Sequence, residues 1–125
     1  MKIINLIISA VIMLLLDSIY LSLNLSYFNN VFKKVQNSSI KLKYSGAILC
    51  YITLIFAINY FVIDKKGTLF DAFLLGFCIY AVYETTNYAT LNTWPIKMLF
   101  MDSLWGGILF ALTVFFTYQI KSLKL

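Results

Sequence analysis

Uncharged, apolar residues run along this chain in four long stretches, 3–24, 45–63, 69–91 and 98–119, separated by short polar joints. Only acids interrupt them: Asp17 in the first, Asp71 and Glu84 in the third, Asp102 in the fourth. About 20 predominantly apolar residues are what a helix needs to cross the hydrocarbon of a bilayer. A helix is also the required conformation, because lipid offers no partner to exposed backbone N–H and C=O groups. The pattern predicts an all-α fold, an integral membrane four-transmembrane-helix bundle, as a single transmembrane domain over residues 1–125. Residues 3–24 are long for a signal peptide and lack an A-x-A-like cleavage site, so they are read as the first span.

The joints fit that parse. Asp64-Lys65-Lys66-Gly67 forms a tight polar turn between spans two and three, and Asn92-Thr93-Trp94-Pro95 separates spans three and four. In the longest connection, residues 25–44, Phe28, Val31, Phe32 and Val35 recur at helical spacing among polar residues. Two readings fit it equally: an amphipathic helix lying at the membrane surface, or an irregular basic loop. Spans alternate sides, which puts Lys2, Lys65, Lys66, Lys121 and Lys124 on one face and Lys33, Lys34, Lys41, Lys43 and Lys97 on the other. The positive-inside rule therefore ties. The denser cluster tilts the expectation toward a cytoplasmic 25–44 connection.

Composition narrows the class further. The hydrophobic share is 62% and the charged share 12%, against about half and a quarter in soluble domains. A soluble domain this small could not hide that surface from water, so the expected localisation is integral membrane, multi-pass, with the lipid bilayer as partner. The net charge of +5 comes entirely from lysine. On an apolar chain such a surplus points to loops beside lipid headgroups rather than to nucleic acid, for which no basic, aromatic-studded face exists. There is no histidine, which excludes imidazole metal sites, bis-histidine haem and triads with an imidazole base. No metal site and no cofactor is expected. Cys50 and Cys78 sit inside apolar runs and read as buried, inert thiols.

The acids carry the functional question. At 1.5 Å rise per residue, Asp17, Glu84 and Asp102 all lie about 8–12 Å from the same face, that of the 25–44 connection. A mid-span carboxylate costs about 2.5–3.5 kcal/mol and normally turns to the bundle interior. Polar and aromatic neighbours accompany each one. Tyr80, Glu84, Asn87, Tyr88 and Leu91 form a stripe on span three, with Tyr83, Thr90 and Trp94 nearby. Asp102, Trp105 and Gly106 form another on span four, and Tyr20 follows Asp17 on span one. The candidate binding or proton-relay residues are thus Asp17, Tyr20, Tyr80, Tyr83, Glu84, Asn87, Tyr88, Thr90, Trp94, Asp102 and Trp105. No lysine lies within a span to neutralise them, so at least one of Glu84 and Asp102 is expected to hold a proton at pH 7. Asp71 is different, because its place in a first turn suits helix capping. Ser103, Gly107 and Ala111 on span four, and Ala72 and Gly76 on span three, offer small faces for close helix approach.

Three functions fit these residues. A binding or permeation protein would take up protons, a cation or a small lipophilic ligand in a polar pocket. A membrane enzyme would use paired carboxyls for acid–base chemistry on a lipid or isoprenoid. A structural or assembly subunit would use the acids for helix contacts alone, and self-association as a homo-oligomer is compatible with all three.

The run Tyr83-Glu84-Thr85-Thr86-Asn87-Tyr88-Ala89-Thr90-Leu91, then Trp94-Pro95, Asp102 and Trp105-Gly106, resembles the four-helix membrane proteins of domain of unknown function 2177. The family pattern reads T-Y-D-x-T-N-x-A-T-L-x-x-W-P, then V-D-x-x-W-G. Asp17 with Tyr20, and Tyr27-Phe28, match weaker features of its first span and loop. Glu84 stands where the family has Asp, and Val82 where it has Thr. The resemblance implies the four-helix fold and the importance of the motif residues, and it supplies no activity.

Overall fold

Every long apolar stretch becomes a helix in the computed structural model, which describes residues 1–123; Lys124 lies outside the described residues. Helix α1 spans Ile3–Leu23, α2 Leu25–Gln36, α3 Tyr44–Ile58, α4 Leu69–Thr90 and α5 Ile96–Ser122. A π-helical segment, Asn59–Ile63, continues α3 without a break, so the second crossing runs over Tyr44–Ile63. Helices α1, α4, α5 and this composite are each long and apolar enough to cross a membrane.

Local chemistry sets the ends. Thr68 and Asp71 close a capping box at the start of α4: the Asp71 N–H donates to Thr68 Oγ1 (3.0 Å) and the Thr68 N–H to Asp71 Oδ2 (2.9 Å). Each bond satisfies a donor that a helix start leaves without a partner. Pro95 immediately precedes α5, where its missing N–H costs nothing. The 25–44 connection is resolved in favour of a helix. Its α2 buries Phe28 and Val31 and carries Lys33 and Lys34 in its last turn, where cations oppose the negative end of the dipole. Asn37 ends it in the left-handed region, with φ 60°, a conformation that asparagine tolerates well.

The closest helix pair is α4 with α5. A Cβ on Gly76 would stand 2.1 Å from the Gly106 carbonyl oxygen, and one on Gly106 2.4 Å from the Tyr80 ring. Gly76 and Gly107 of the expected small-residue faces lie in this contact, Ser103 is buried, and Gly106 joins the contact line. It runs through Gly106 and Gly107, because the rings of Tyr80 and Phe73 seat against these two consecutive residues. Helix α1 turns Asn5, Ser9, Met13 and Asp17 inward at every fourth position. Met13 packs there with Ile58, Leu109 and Phe110 in the main apolar core. A second cluster, Phe28, Val31, Trp94 and Met98, seats α2 across one end of the bundle. The thiols depart from expectation: both are exposed, Cys50 in the lining of a cavity and Cys78 on the outer surface of the bundle. In a membrane that surface meets lipid, which suits a small apolar side chain as well as a core does.

Candidate functional site

Four helices and one loop deliver the acids and their partners to the α2 end of the bundle, α3 with Tyr51. Helix α1 supplies Asp17 and Tyr20, one turn apart, and α5 supplies Asp102 and Trp105. Helix α4 supplies Tyr80 and Glu84, also one turn apart, and the loop before α5 supplies Trp94. All but Trp105 line a single cavity of about 340 Å³, together with Phe28, Phe32, Leu54 and Met98.

Each carboxyl has a donor from another part of the chain. Trp105 Nε1 donates to Asp17 Oδ1 (2.9 Å), and the Tyr51 hydroxyl donates to Asp17 Oδ2. The Tyr20 hydroxyl donates to Asp102 Oδ1 (3.1 Å). Trp94 Nε1 donates to Glu84 Oε1 (2.8 Å). The Tyr20 and Trp105 rings lie parallel, with centroids 4.5 Å apart, so one stacked aromatic pair holds both the Asp17 and Asp102 donors in place. Asp17 is 6% exposed and Glu84 fully buried. Glu84 Oε2 has no donor among the protein groups. Asp102 lines the same cavity as Glu84, so a donor brought by a third group is placed to meet both carboxyls. Among the described residues no set of three His, Cys, Asp or Glu side chains is arranged to hold a metal ion.

A family model described as "Predicted membrane protein (DUF2177)" matches residues 2–119, which takes in all four spans and every candidate residue. The chain belongs to this family. No curated protein and no solved structure matches it. Membership of DUF2177 agrees with the four apolar helices and makes the protein a multi-pass membrane protein.

Not every candidate residue of this DUF2177 member reaches the cavity. Tyr83 lines its edge while half exposed, and Tyr88 is turned outward. Asn87 is half-buried outside the lining, and the exposed Thr90 returns its hydroxyl to the Thr86 carbonyl (2.8 Å). Trp94 takes the place beside the acid instead. Its buried indole folds back under Glu84 and packs with Phe28, Val31 and Met98, filling the space one turn beyond the acid. Sequence reasoning passed over Tyr51, which completes the Asp17 site. Counting seven residues from Tyr44 places it about 10 Å into its span, the depth already found for the acids, so the same arithmetic would have found it. It also passed over Asn59, whose Nδ2 donates to Ser9 Oγ (2.9 Å) and ties the second span to α1 deeper in the bundle.

Proposed function

We propose that this protein binds a small amphipathic molecule whose head donates hydrogen bonds or carries a positive charge. The head sits among Asp17, Glu84 and Asp102, and the apolar portion lies along Phe28, Phe32 and Leu54. One observation carries the reading: three carboxyls line one small, largely apolar cavity with no cationic side chain among its lining residues. Such groups are costly inside a membrane unless a partner meets them, and a donor-bearing head would supply what the fully buried Glu84 lacks.

The chain reports on its own site. Its two tryptophans, Trp94 and Trp105, each donate to one of the acids, so intrinsic fluorescence reads the cavity directly. Decylamine added to protein in lipid nanodiscs is expected to change that fluorescence saturably, and decanoate is not. Equal responses to both, or an unchanged decylamine response in the Glu84→Gln, Asp102→Asn double variant, would overturn the reading.

The shared cavity of Glu84 and Asp102 supports a second reading, acid–base chemistry on an isoprenoid or lipid. One protonated and one ionised carboxyl are the groups such a reaction uses. Lipid extracts from cells with and without the gene separate the two, because a binding protein leaves no new lipid species.

A further inference from the structure

At the opposite end of the bundle a second cavity, of about 720 Å³, opens between the start of α1, the turn after the second span and the end of α5. Lys2, Lys66 and Lys121 line it, against one acid, Asp64. That acid already has a cation, the ammonium of Met1 at 3.8 Å. The turn Asp64-Lys65-Lys66-Gly67 divides its lysines between two tasks. Lys65 lays its ammonium over the Tyr60 ring, 4.6 Å from the centroid. Lys66 instead lines the cavity, from a left-handed backbone position with φ 53°. The floor is polar as well. Asn5 is 3% exposed and lines the cavity; its Oδ1, an acceptor that no phosphate oxygen satisfies, is buried without a partner, which leaves the Nδ2 as the group it offers a ligand. A carboxamide offers two N–H donors, so this buried side chain supplies a directional contact that surface lysines alone would not.

We propose that this cavity binds a phosphate group, carried by an anionic lipid headgroup or by a small soluble phosphate. Basic pockets between membrane helices at the headgroup level are suited to such groups. The three lysines supply the charge, and Asn5 fixes the position. The site lies on different residues from the acid cavity and does not depend on its ligand.

Native mass spectrometry of the protein in equimolar phosphatidylglycerol and phosphatidylcholine tests the proposal. Wild type is expected to retain phosphatidylglycerol preferentially, with each of Lys2→Gln, Lys66→Gln and Lys121→Gln weakening retention about fivefold. Lys33→Gln with Lys34→Gln, on α2 at the other end, is expected to leave the preference intact. Asn5→Asp keeps the side-chain shape, turns a donor into an anion, and should abolish the preference. Inorganic phosphate separates the sources: displacement of the lipid at millimolar concentration assigns the cavity to a soluble phosphate, and resistance assigns it to the headgroup. Equal retention of both lipids by wild type, with no heat of phosphate binding by calorimetry, overturns the proposal. So does a preference that survives Asn5→Asp in folded protein, which would reduce the effect to diffuse attraction by a basic surface.

Discussion

Where α4 meets α5, Gly76, Gly106 and Gly107 bring backbone against carbonyl and ring with no room for a methyl group. Where α1 meets α3 and α5 near the α2 end, the contacts run through side-chain hydrogen bonds, from Tyr51 and Trp105 to Asp17 and from Tyr20 to Asp102. In lipid no hydrophobic effect draws helices together, so close van der Waals fit and interhelical hydrogen bonds are the available means. At its glycines the first seam uses close fit and leaves no space. The second uses polar groups, which hold the helices farther apart and leave a cavity between them. The candidate site lies where the bundle is joined by hydrogen bonds, because those same groups can be offered to a ligand.

The difference between the seams should appear in stability. Gly76→Val drives a branched side chain into the Gly106 backbone and should cost about 3 kcal/mol or more, read as a large drop in the thermal midpoint in detergent. Asp17→Ala removes two interhelical bonds, each worth about 0.6 kcal/mol in a membrane protein. The midpoint should fall only modestly, while the fluorescence response to decylamine is lost. An Asp17→Ala variant as unstable as Gly76→Val would erase the distinction between the seams. Trp94→Phe keeps the ring that packs with Phe28 and Met98 but loses the bond to Glu84, a loss of about 0.6 kcal/mol. The smallest effect belongs to Cys78→Ala on the outer face, within about 0.5 kcal/mol of wild type. In membranes, the Cys78 thiol should react faster with a lipid-soluble maleimide than with a charged thiol reagent.

The four spans were legible because hydropathy alone decides which segments enter lipid. The meeting of the acids was legible for a simpler reason: fixed rise per residue turns position in a span into depth. Depth does not give direction around the helix axis, however. The stripe on α4 therefore included Asn87 and Tyr88, which lie outside the cavity lining, while Trp94 meets Glu84 there. Tyr51 carries no charge signal, because its span holds no charged residue. The thiols were misplaced by a rule from soluble cores, which does not hold where the outer surface is itself apolar. The π-helical turn at Asn59–Ile63 has no signature in the hydrophobic pattern, since it adds one residue to a turn without changing the residue types.

Glu84 is the only glutamate in the chain, so isotopic labelling of glutamate marks this one carboxyl. Infrared spectroscopy of the labelled protein at pH 7 tests whether Glu84 and Asp102 meet, away from water, inside the common cavity. A protonated carboxyl band that carries the isotope shift, and that moves in frequency in the Asp102→Asn variant, is the expected result. A labelled group that is fully ionised, or a band unaffected by Asp102→Asn, would contradict the account.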